Sequence, residues 1–129
     1  MIVCKRVYQP AAPADGYRVL VDRLWPRGCR KDELPLDAWL RELGPSDGVR
    51  RAFAHEPARF AEFREAYRGE LAAAALLWRP LLEPARQGTL TLLYAAHDEQ
   101  FNNARVLAEF LAEQLADAAP CAAEPEASR

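Results

Sequence analysis

Residues 17–28 read YRVLVDRLWPRG, and the fold turns on how that stretch is read. Its first half is β-branched and apolar on both sides of the alternation, the pattern of a strand covered on two faces, so Tyr17 to Leu24 is read as a central strand. Its second half delivers Asp22, Arg23, Trp25 and Arg27 to the strand's end within six positions. Two forked guanidiniums and an indole face suit recognition of a planar or anionic ligand. The competing reading is an internal Asp–Arg lattice with Trp25 packed as a lid over the core.

Working outward, Ile2 to Tyr8 reads as a short strand, followed by a Pro-rich loop over Gln9 to Gly16. Leu36 to Leu43 reads as a short helix stopped at Gly44-Pro45, and Ser46 with Asp47 can cap another through Phe53. Pro57 opens a longer helix whose Phe60, Phe63, Tyr67 and Leu71 form one apolar stripe, and Pro80 and Pro84 kink or break the helical stretch from Leu71 to Arg86 before Gly88 ends it. Thr89 to Ala96 is a further strand and Ala104 to Leu115 a final amphipathic helix.

Strand, helical crossover, strand, helix predicts an α/β fold: a single layer of three or more largely parallel strands flanked by helices, Rossmann-like in architecture. Residues 1–117 form one domain and 118–129 a flexible C-terminal tail. Ligands of such sheets bind beyond the strands' carboxyl ends, which brings DRLWPRG beside HDEQFNNA, His97 to Ala104. Asp22, His97 and Asp98 are the candidate catalytic groups. Arg23, Trp25, Arg27, Tyr94, Asn102 and Asn103 are the candidate ligand-binding ones. For Asp98 and Asn102, capping of the last helix is the plain alternative.

The net charge of -2, from 17 basic and 19 acidic residues, argues against a strongly electropositive duplex-binding surface. Fifteen of the basic residues are Arg, a skew that abundant Ala ties to codon bias rather than to phosphate chemistry. Cys4, Cys29 and Cys121 make neither a disulfide framework nor a Cys-x-x-Cys site, which suits a reducing cytoplasm. Cys29, among Arg27, Arg30 and Lys31, has neighbours that favour a reactive thiolate. No apolar run reaches the ~18 residues of a membrane span, and there is no GxGxxG, no Walker-type loop and no other motif that calls for a cofactor. His55 with His97, Asp98 or Glu99 would suit a metal, but no spacing demands it, and no metal is assigned.

The strings KRVY (5–8), DGYRVLVDRLWPRG (15–28), LDAWLRELGPS (36–46), FAHEPARFAEFREAYRGEL (53–71) and LTLLYAAHDEQFNNARVLAEFL (90–111) together resemble the YeaO-like branch of the domain-of-unknown-function 488 family. The resemblance implies a small cytoplasmic α/β protein. Relatives in the broader family carry D-x-R-x-x-P-x-S-R after one strand, matched loosely by Asp22 through Arg27, and Cys-Glu followed by Cys-His-Arg after another. Here Tyr94-Ala95-Ala96 and the Asn102-Asn103 helix start replace the second set, so chemistry that used that Cys or Arg is not implied for this chain.

The function these residues favour is binding or processing of an anionic, nucleotide-like small molecule. The alternatives are a nucleic-acid-associated regulator using Arg59, Arg64 and Arg68, or a non-enzymatic interaction module. A winged-helix regulator is disfavoured, because no helix-turn-helix precedes a β-wing.

Overall fold

The computed structural model describes residues 1–123. Four parallel strands, β1 (Ile2–Arg6), β2 (Tyr17–Leu20), β3 (Ala38–Trp39) and β4 (Leu90–Tyr94), form one sheet in the order β1-β4-β2-β3. The last strand in sequence is thus central, pairing Ile2 with Leu90 on one side and Leu20 with Leu93 on the other. Both central strands are nearly or wholly buried, their apolar residues covered on two faces and Arg18 and Thr91 satisfied by Asp15.

Helices α1 (Asp47–Phe53), α2 (Phe60–Ala72), α3 (Ala75–Trp78), α4 (Leu82–Gln87) and α5 (Asn103–Ala123) supply the crossover and the return. The stripe on α2 buries Phe63, Tyr67 and Leu71 against Val19, Val21, Leu90 and Leu92, with Leu107 and Leu111 of α5 completing that face. Each such side chain contributes about 1.5–3 kcal/mol by leaving water. Ser46 caps α1 as its sequence suggests, its hydroxyl accepting from the Val49 N–H at 3.3 Å. The tail expected over 118–129 overlaps the end of α5 and otherwise lies outside the described residues.

The opposite face is covered by loops rather than helices. Leu20, Leu93, Val7 and Leu34 are buried there beneath Trp25, Trp39, Cys29 and Leu36. The Pro-rich loop is latched to this face by Asp15, which accepts from Lys5 Nζ at 3.0 Å and from the Arg18 guanidinium, while Thr91 donates to its carbonyl at 2.6 Å. Gly16, at φ +64°, lets the chain turn into β2, where a Cβ would lie 2.2 Å from the Thr89 carbonyl oxygen.

Two expectations are corrected. Leu36 to Leu43 is not a helix: it contributes β3 and a single 3-10 turn at Arg41–Leu43. Pairing with β2 overrides the local helical pattern, because Asp37 N–H donates to the Arg18 carbonyl at 2.8 Å, Leu40 N–H donates to that of Leu20 at 3.0 Å, and the Asp37 carboxylate accepts from Arg18 N–H. β2 also ends at Leu20 rather than Leu24, although Val21 N–H still reaches the Leu93 carbonyl.

Candidate functional site

The exits of β2 and β4 lie side by side because those strands pair in parallel. Asp22 ties them together. One carboxylate oxygen accepts from Ala95 N–H at 2.9 Å and the other from Asn103 Nδ2 at 3.0 Å, and that amide also donates to the Val21 carbonyl at 3.1 Å. Burial pushes the Asp22 carboxyl above the ordinary carboxylate range, opposed by the Ala95 amide, by Asn103 and by the nearby charges of His55 and Arg50. Trp39 Nε1 donates to the Asp22 carbonyl at 2.8 Å, so β3 braces the same point.

Beyond Asp22 the WPRG turn is closed on itself. Trp25 Nε1 donates to the Cys29 carbonyl at 2.7 Å, its ring meets Trp39 edge-on at 5.3 Å, and Lys31 sits over it at 5.9 Å. Tyr8 fastens the turn to the end of β1 by donating to the Arg27 carbonyl at 2.8 Å. Arg23 Nε donates to the Gly44 carbonyl at 3.0 Å, and the passage is so close that a Cβ on Gly44 would lie 2.9 Å from Arg23 Cγ.

These exits enclose a cavity of about 730 Å³. Asp22, Arg23, Trp25, Arg27, His97, Asp98, Asn102 and Asn103 all line it. Tyr94, a candidate ligand-binding residue, does not. At 2 % exposure it belongs to the helix-side core with Leu90 and Leu92, since the two-residue period of β4 places it on their face. Asn102 is 2 % exposed and caps α5, its Oδ1 accepting from Arg105 N–H at 2.9 Å and its amide donating to the Asp98 carbonyl at 2.8 Å. Asp98 accepts from the Gln100 and Phe101 amides, Phe101 contributing most, which holds its carboxyl below the ordinary range.

Tyr8, Arg50, Phe53, His55 and Phe63 also line the cavity. Sequence reasoning did not place Arg50 here, although its position three residues before Phe53 on α1 puts both on one helical face. Phe53 and Phe63 stack with centroids 4.6 Å apart. His55 arrives through two consecutive left-handed residues, Ala54 at φ 50° and His55 at φ 57°, a conformation L residues adopt at a cost. Although His55 and His97 line the same cavity, among the described residues no three His, Cys, Asp or Glu side chains gather closely enough to hold a metal ion. Cys29 is half-buried against the loop-side core rather than presented on the turn.

Three arginines line the cavity. Arg27 has no ion-pair partner among the described residues. Arg50 pairs outward with Asp47 at 2.7 Å while its Nε is buried without an acceptor, and Arg23 is held by Gly44. The arginines of α2 are used differently: Arg64 pairs with Glu109 and Arg68 with Glu109 and Glu113, both on α5. No helix among the described residues is long and apolar enough to cross a membrane.

Comparison with known proteins agrees with the motifs. The family described as the inactive DUF488-N3 subclade matches residues 1–129. The uncharacterized protein YeaO of Escherichia coli strain K12 is 50% identical over 110 residues, which cover 85% of this chain and 96% of that protein. The uncharacterized proteins Rv3073c of Mycobacterium tuberculosis strain H37Rv and Mb3100c of Mycobacterium bovis are each 39% identical over 106 residues, covering 82% of this chain and 89% of theirs. No solved structure matches. With the parallel sheet and the DRLWPRG exit in place, these matches show that the chain belongs to the inactive DUF488-N3 subclade as a YeaO-like member.

Proposed function

We propose that the chain binds an anionic, nucleotide-like small molecule in the cavity at the exits of β2 and β4, and binds it without chemical turnover. The observation that carries this reading is Arg50 Nε, a buried donor with no protein acceptor on the wall of a cavity that Arg23 and Arg27 also line. A buried N–H left unpaired costs about 1–3 kcal/mol, which an anionic oxygen would recover. The paired rings of Phe53 and Phe63 give the same cavity an apolar wall for a planar group.

Binding without turnover is favoured by the state of the carboxylates. Both oxygens of Asp22 are held by N–H donors, and Asp98 serves the backbone at the start of α5. These bonds fix both carboxylates to the backbone of the exits and of the start of α5, a positioning role that needs no turnover to explain it. The description of the family as an inactive subclade points the same way. The nucleic-acid reading loses its main feature, because Arg64 and Arg68 are occupied by Glu109 and Glu113.

Thermal-shift screening against nucleoside mono-, di- and triphosphates and sugar phosphates tests the proposal. The expected result is a raised melting temperature with one class, reduced in Arg27→Ala and Arg50→Ala. No shift across the panel, or shifts that both variants retain in full, would overturn it.

A further inference from the structure

The two edges of the sheet differ. β3 offers only two residues, whereas β1 runs through five register positions with no bulge, Pro or Gly. The Met1 carbonyl and the Val7 N–H both point to β4, in bonds of 2.8 Å, so the two-residue period turns Val3 and Lys5 the same way. Ile2 and Cys4 therefore aim their N–H and C=O groups outward, and among the described residues no backbone group pairs with them.

Native sheets ordinarily guard such an edge with protruding charge, Pro or a bulge. Here the charges are turned away. Lys5 Nζ lies on both Asp15 oxygens at 3.0 Å, and Arg6 Nε donates to the Ala96 carbonyl at 2.8 Å. Met1 and Val3 stand 74 % and 37 % exposed. Beside the edge, Ile2 with Ala108, Ala112 and Leu115 of α5 lines a cavity of about 490 Å³ that Arg105 and Glu109 also border.

We propose that β1 pairs antiparallel with β1 of a second copy about a two-fold axis through Val3, joining two four-stranded sheets into one. In that register Ile2 of each copy exchanges both backbone bonds with Cys4 of the other, and the Arg6 carbonyl keeps its own bond to Gln9 N–H. The α5 helices flanking the edges then run antiparallel with Ala108 and Ala112 between them. Arg105 and Glu109 lie one turn apart, so inversion brings each toward its counter-charge, Glu109 keeping its own pair with Arg64 while its part-exposed carboxylate faces Arg105 of the second copy. That self-complementarity selects a second copy over a partner of uniform charge. The two-residue β3 edge cannot extend the assembly, so pairing closes at two.

Analytical ultracentrifugation over a wide concentration range is expected to show a reversible monomer–dimer equilibrium. Val3→Lys, which sets like charges face to face at the axis on an exposed position, is expected to weaken it by at least about tenfold without changing the monomer's circular dichroism. Amide exchange of the unaltered protein supplies an independent readout: Ile2 and Cys4 gain protection as concentration rises, while Val3 and Lys5 are protected throughout. A monomer at every concentration overturns the proposal. So does a dimer that leaves the Ile2 and Cys4 amides unprotected, or association only with a different protein. Should Val3→Lys fail to fold, the exchange pattern decides alone.

Discussion

Arg27 and Val21 stand six residues apart and answer different questions. Val21 is fully buried, so Val21→Asp places an unpaired carboxylate in the core at several kcal/mol, a large share of the ~5–15 kcal/mol that holds a domain folded. Chemical denaturation is expected to find that variant unfolded. Arg27→Ala is expected to denature like the parent while losing about 1.5–3 kcal/mol of ligand binding, roughly ten- to a hundredfold in affinity. Equal instability of the two would make Arg27 a lattice residue. Asp15 is a third case. Burial alone would raise its carboxyl, but the Ala12 amide, Lys5 and Arg18 outweigh that and hold it below the ordinary value of 3.8. Its stabilisation is therefore present above that value and lost as pH falls through the depressed one. Asp22 has the opposite sign: its raised carboxyl makes ionisation unfavourable as pH rises past 3.8. Asp15→Asn leaves Lys5 and Arg18 without their carboxylate, so a loss of about 3–5 kcal/mol at neutral pH and a flatter acid limb in urea titrations are expected.

Among the elements, those with a strong period were legible in the sequence: the stripe of α2, the apolar runs of β2 and β4, and their parallel pairing through a helical crossover. β3 was not, because what makes 38–39 a strand is its bond set with β2, and nothing in LDAWLREL announces that neighbour. The same distinction divides the site. The exits could be located because topology aligns strand ends, and eight of the nine candidate residues line one cavity, whereas Arg50 and His55 enter from α1 and its left-handed exit. The 3-10 turn before α1 imposes a further constraint. Gly44→Ala would push a methyl against Arg23 and the Val21 carbonyl, so the variant is expected to fold with reduced stability and to shift Arg23 from its place on the cavity wall. A crystal structure of Gly44→Ala with Arg23 unmoved would refute this.

For the whole molecule, the order β1-β4-β2-β3 leaves the sheet without its central member until Leu90–Tyr94 joins it. Among the described residues β1 touches no other strand but β4, and β2 gains only the two-residue β3 before β4 arrives. A fragment of residues 1–88 is therefore expected to show neither a cooperative melt nor dispersed amide resonances; a folded fragment would contradict the dependence of the sheet on β4. The same geometry bears on biosynthesis. While the residues ahead of β4 emerge from a ribosome, β1 has no mate and β2 only the short β3, so the nascent chain carries the hazard of unpaired edges until Leu90–Tyr94 follows. Completion of the sheet is thereby deferred until Leu90–Tyr94 inserts, which makes its timing a property of where the fourth strand is encoded.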